Sequence, residues 1–161
     1  MATTRPMPAP EPEPSFDVSS ELWRIRTDAH LQFIDISERV AERVRRSGVR
    51  HGIVSVQTRH TTTAIIVNEH EPLLLEDMKD MLERLAPRGG HYRHHDFESR
   101  QVPPEESPNG HSHCQALLLG ASESLSVVAG QVQLGTWQRI FLVELDGPRE
   151  RTVSVTVLGA R

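Results

Sequence analysis

The residues that could do chemistry gather first between Arg59 and Glu69. A histidine and three hydroxyls (His60, Thr61, Thr62, Thr63) stand at one end of an apolar run, Ala64-Ile65-Ile66-Val67. An amide and a carboxylate (Asn68, Glu69) stand at the other. The second gathering is of imidazoles, since five of the nine histidines fall between His91 and His113. Neutral imidazole is a common ligand of zinc and similar ions, and three such ligands with a fourth position open make a catalytic arrangement. His60, one of His94 or His95, and one of His111 or His113 form a conceivable trio. Neither His94-His95 nor His111-x-His113 matches a fixed metal motif, and the plainer reading is of surface or hydrogen-bonded rings.

Carboxylates could serve as general bases or hold an ion through water. Glu69, Asp96, and Glu76 or Asp77 are the candidates, although Glu76 and Asp77 also suit the start of a helix. Thr61 and Thr62 can donate to phosphate or carboxylate, but threonine is equally a strand former. In Gly135-Thr136-Trp137-Gln138, Gln138 offers a donor and an acceptor, and Trp137 reads first as a core anchor. Arg149 and Arg151, beyond the turn Asp146-Gly147-Pro148, could reach an anion. Arg43, Arg45, Arg46 and Arg50 read as a solvated helix face. Cys114 has no arrangement that makes it a nucleophile, and it reads as a small buried hydrophobe.

These groups need positions. Alternation predicts strands over Glu21–Thr27, His51–Thr58, Ser124–Ala129, Gln131–Leu134, Arg139–Leu145 and Thr152–Leu158. Gln32–Ile36 either extends the sheet or leads into a helix. Ser37 as N-cap and Gly48 as C′ predict a helix over 37–47. Pro72 opens a second helix, ending near Pro87, whose Leu74, Met78, Met81, Leu82 and Leu85 form a stripe expected to pack on the sheet. His111–Leu119 reads as a short helix, and Arg88–Gly110 is a long polar loop of the kind that is usually functional. If the chain runs straight through Arg59, His60 and Asn68 lie about 26 Å apart on one strand; if it bends there, two strands form. The strand arithmetic separates the two borders unless the chain bends, and Asn68 and Glu69 are then expected to begin the next helix or face another subunit. The pattern is mainly β with flanking helices (α+β), an antiparallel sandwich.

The 161 residues suit one domain over 16–161. Residues 1–15, with five prolines and two glutamates, read as a disordered tail. A net charge of −4 and 4% aromatic residues argue against nucleic acid as a partner. No apolar run approaches the roughly 20 residues of a membrane span. The single cysteine fits a reducing compartment, hence a cytoplasmic location.

The combination His60-Thr61-Thr62 with Asn68-Glu69, Tyr92-x-His94, Asn109-x-x-x-His113, Gly135-Thr136-Trp137-Gln138, and Asp146-Gly147-Pro148-Arg149 with Arg151 resembles the YjbQ family (UPF0047, "secondary thiamine-phosphate synthase enzyme"). The likeness runs from about Leu22 to Arg161. It implies a jelly-roll-like sandwich, a homotrimer, and a transferase side activity joining a thiazole phosphate to a pyrimidine pyrophosphate. It also narrows the trio to His60, His94 and His113 as ligands of a divalent ion, zinc-like or magnesium for turnover. The expected site then has His60, Glu69 and Asp96 in catalysis, and Thr61, Thr62, Asn68, Trp137, Gln138 and Arg149 on a small-molecule substrate. The alternative is a non-catalytic trimeric module that binds a phosphorylated metabolite.

Overall fold

The structure, a computed structural model, describes residues 15–103 and 106–161. The expected tail therefore lies outside the described residues, except Ser15, whose carbonyl accepts from the Arg161 N–H at 3.1 Å.

Among the described residues eight strands make two antiparallel sheets. The first has five strands, in the order β1 (Phe16–Arg26), β8 (Glu150–Ala160), β3 (His51–Thr58), β5 (Ser122–Val128), β6 (Gln131–Val132). The second has three, β2 (Gln32–Asp35), β7 (Gln138–Glu144) and β4 (Thr63–Glu69). The chain bends after Thr58, so β3 and β4 lie in different sheets. β8 shows the period-2 burial of a one-sided strand: Arg151, Val153, Val155 and Val157 face inward. At the far end of that ladder Gly52 is paired with Gly159. A Cβ on Gly52 would meet the Gly159 Cα at 2.7 Å, so this crossing admits no side chain.

The main core lies between the sheets and joins Trp23, Val54, Val56, Val153 and Val155 to Ile65, Ile140 and Leu142. α1 (Ser37–Ser47) closes it with Val40 and Val44. The outer face of the small sheet forms a second cluster, Ala64, Phe141, Val143 and Leu145. It is covered by Leu75 and Leu82 of α2 (Pro72–Leu85) and by Ala116 and Leu119 of α3 (Gly110–Leu119). β7 is thus buried on both faces, which explains its unbroken run Ile140-Phe141-Leu142-Val143.

α1 and α2 fall where their capping signals put them, with Gly48 in the left-handed region at φ 74°. Ser37 is the first helical residue rather than the cap, and its hydroxyl accepts from the Ile140 N–H at 2.7 Å. At α2 the Glu71 carboxylate caps the Leu73 and Leu74 N–H groups. The stripe on α2 does not all pack on the sheet. Leu82 is its one fully buried member, Leu74 and Met78 are half-buried, and Met81 and Leu85 are exposed. Arg43 is no solvated residue either: it is buried, donating to Ser19 Oγ at 2.7 Å beside Glu21. Among the described residues no helix is long and apolar enough to cross a membrane.

Candidate functional site

The long loop is docked on the first turn of α3. Tyr92 and His95 pack together with ring centroids 5.2 Å apart. His95 Nε2 accepts from the Gly110 N–H at 3.0 Å. That close approach needs glycine, because a Cβ at position 110 would stand 2.6 Å from Tyr92 Cβ. Between these anchors the 3-10 turn Arg93–His95 presents His94 to His113 of α3. The two rings meet edge to face at 4.7 Å.

His94 and His113 line a cleft of about 400 Å³ with Arg100, Glu106, Asn109 and Arg149. Glu106 lies 3.7 Å from His94 Nε2 and accepts from Arg100 at 3.0 Å. Asn109 Oδ1 is buried and meets no donor among the described residues, although Asn109 occupies the N-cap position of α3. Burial, and then the neighbouring His94, hold the His113 pKa below the usual 6.5, so this ring is neutral at pH 7. A second cleft, about 520 Å³, is lined by Arg59, His60, Thr61, Ala116, Leu117 and, again, His113. His60 Nε2 accepts from the Thr152 N–H at 2.7 Å. Burial, then the nearby guanidiniums led by Arg151, keep this ring neutral too.

Beside the clefts lies a polar cluster of a different kind. Glu144, fully buried, receives Arg151 Nε at 2.6 Å and Nη2 at 2.5 Å, the Thr27 hydroxyl at 2.9 Å and the Asp146 N–H at 2.9 Å. Arg151 also donates to Thr62 Oγ1 at 3.2 Å. Burial alone would raise the Glu144 pKa. The hydrogen bonds from Arg151 and the Asp146 N–H outweigh it and hold the carboxyl below its usual 4.5. Arg149 is held by Asp146 at 2.6 Å.

The expected site residues therefore separate. His94, His113 and Arg149 share the first cleft, and His60 and Thr61 line the second. Thr62 is buried in the Glu144–Arg151 cluster and is not open to a substrate. Asp96 faces away from the His94–His113 cleft and binds the Ser99 N–H and hydroxyl, which lower its pKa. Asn68 and Glu69 end β4 opposite Arg139 and Gln138. That is six residues from Thr63, roughly 20 Å along the strand. Asn68 Oδ1 accepts from the Glu69 N–H, and Gln138 Oε1 from the Gly135 N–H. Trp137 is no core anchor; it is 70% exposed at this same end. Cys114 is exposed rather than buried. His111 is the buried imidazole of α3, donating from Nε2 to a Ser112 hydroxyl that itself donates to the Leu145 carbonyl.

The metal trio is only partly assembled. His94 and His113 are neighbouring rings. His60 has Nε2 engaged by Thr152, and among the described residues no three His, Cys, Asp or Glu side chains converge closely enough to hold one. Sequence reasoning missed Glu144 and Glu106. Glu144 had a signal: a lone acid inside an apolar strand demands a partner, and the inward parity of β8 supplies Arg151. Glu106 had none, since nothing in a polar loop marks which acid turns inward.

Residues 21–160 match the family described as UPF0047 protein YjbQ-like. A UPF0047 protein of Methanothermobacter thermautotrophicus is 42% identical over 143 residues, covering 89% of this chain and 94% of that one. YugU of Bacillus subtilis is 29% identical over 84% of this chain and 96% of its own. Among solved structures, a YbjQ-like protein of unknown function from Sulfolobus solfataricus superposes with a TM-score of 0.82 at 34% identity, covering 90% of this chain and 99% of that one. A hypothetical protein from Aeropyrum pernix gives 0.78 at 37%, covering 88% and 98%.

Proposed function

The chain belongs to the YjbQ-like UPF0047 family, and on that premise we propose that it is a small enzyme acting on a phosphorylated small molecule with the His94–His113 pair as its acid–base centre. The observation that carries this reading is the edge-to-face contact of the two rings at 4.7 Å, with Glu106 facing one of them. His94, with a carboxylate at Nε2, is arranged to deliver a proton. His113, neutral and half-buried, is arranged to hydrogen-bond and orient a reactant beside it.

The reaction class is the pyrophosphate displacement that the family resemblance implies. A thiazole-phosphate nitrogen forms a bond to the methylene of an activated pyrimidine. The C–O bond breaks, and pyrophosphate leaves with its electron pair. Protonation from His94 stabilises the leaving oxygen, and the walls of the two clefts hold the reactants in line.

We further propose a homotrimer. Leu73 (74% exposed), Leu85 and Trp137 would otherwise be left in water. Molar mass by light scattering tests this, and a monomer would refute it. The enzymatic reading is tested by incubating the protein with thiazole phosphate, pyrimidine pyrophosphate and magnesium. Repeated turnover to thiamine phosphate and pyrophosphate is expected. Absence of turnover, with both reactants bound, would give the non-catalytic binding module instead.

A further inference from the structure

The guanidiniums around the two clefts are not equivalent. Arg100 is tied to Glu106, Arg149 to Asp146 and Arg151 to Glu144. Each of those positive charges is matched by a carboxylate within hydrogen-bond distance. Arg59 is different. It forms no ion pair among the described residues, it is exposed, and it lines the second cleft beside His60 and Thr61. No Asp or Glu lines that cleft among the described residues, whereas Glu106 stands in the first.

The donors next to Arg59 are fixed by their neighbours. His60 accepts the Thr152 N–H at Nε2, so the neutral ring carries its proton on Nδ1. No hydrogen bond engages Nδ1 among the described residues. Thr63 is turned inward to the Thr58 hydroxyl, but Thr61 is exposed with its hydroxyl unengaged among the described residues. Arg59, His60 Nδ1–H and Thr61 thus offer a cation and two neutral donors on one wall. The other wall, Ala116, Leu117 and Ala121, is apolar and competes for none of them.

Building on the acid–base reading above, we propose that the second cleft is the anion subsite, in which Arg59, His60 and Thr61 take the phosphate or pyrophosphate group of the substrate. A guanidinium with no carboxylate partner, flanked by neutral donors, is suited to a multiply charged oxyanion. His113 is the one side chain among the described residues that lines both clefts. It therefore stands where the anionic group joins the reacting part of the molecule. The first cleft, with its paired arginines and Glu106, receives the less charged part.

The test is calorimetric titration of the full chain with inorganic pyrophosphate. One site per chain is expected. Arg59→Ala should weaken it about tenfold or more, the loss of a charge-assisted hydrogen bond, and Arg100→Ala should leave it within about twofold. An Arg59→Ala protein that binds like the wild type, a large loss in Arg100→Ala, or no binding by the wild type would overturn the assignment. Failure of the acid–base reading shows separately, as His113→Ala turning over at the wild-type rate.

Discussion

Two polar clusters lie next to each other at one end of the sandwich, and they differ in whether their hydrogen bonds are satisfied. Around Glu144 every charged group has its partners. The carboxylate takes Arg151 in a fork, together with the Thr27 hydroxyl and the Asp146 N–H, and Thr62 takes the remaining reach of Arg151. Around His113 the polar atoms are left open. Among the described residues Asn109 Oδ1 meets no donor and the His60 Nδ1–H is unengaged, and two imidazoles meet edge to face. A buried network with all its valences filled fixes structure, whereas one with open valences at a cleft can take a ligand. The histidines and arginines here divide on that criterion rather than on residue type.

The largest effect belongs to the satisfied cluster. Arg151→Ala strands a buried carboxylate and should cost about 3–5 kcal/mol in urea unfolding at pH 7. The same pair predicts the acid limb. Because the folded pKa of Glu144 is depressed, its contribution is present above the usual 4.5 and is lost as pH falls through the lower folded value. Glu144→Gln should flatten the fall of the urea midpoint below pH 4.5. An unchanged acid slope would show that the carboxylate is already protonated in the fold.

Next in size is the hinge between loop and helix. Gly110→Ala forces Tyr92 and His95 off α3 and should cost about 1–3 kcal/mol, the range for overpacking. It should also lower turnover beyond any loss of folded protein, because His94 leaves His113. Wild-type turnover in a destabilised Gly110→Ala protein would show that the loop anchor does not position the pair. The finest division is between adjacent threonines. Thr62→Val loses a hydrogen bond to a buried charge and should cost about 1.5–3 kcal/mol. Thr61→Val, at an exposed hydroxyl, should stay within about 0.5 kcal/mol. Equal effects from the two would erase the distinction between scaffold and cleft.

Those threonines also show where the sequence stops being legible. Period and capping located the strand His51–Thr58 and the helices at 37–47 and from Pro72, because those signals are local. Thr61, Thr62 and Thr63 look alike in sequence; only the bend after Thr58 sends one to a cleft, one to Arg151 and one to Thr58. The length of β4 separates His60 from Asn68 and Glu69. Family likeness, rather than spacing, chose His94 and His113 out of five neighbouring histidines. It could not say that Trp137 would stand in water or that Met81 and Leu85 of the α2 stripe would be left outside, since both depend on what the surface of one chain leaves uncovered.

In the proposed division of labour the His94–His113 cleft does the chemistry and the Glu144–Arg151 cluster holds it in place. The direct test is the rate of pyrophosphate release by His113→Ala, set against its urea midpoint. A rate lower by about 10²-fold, the cost of misplacing a reactant, is expected, with the midpoint close to the wild type. A rate within twofold of the wild type in a fully folded variant would contradict it.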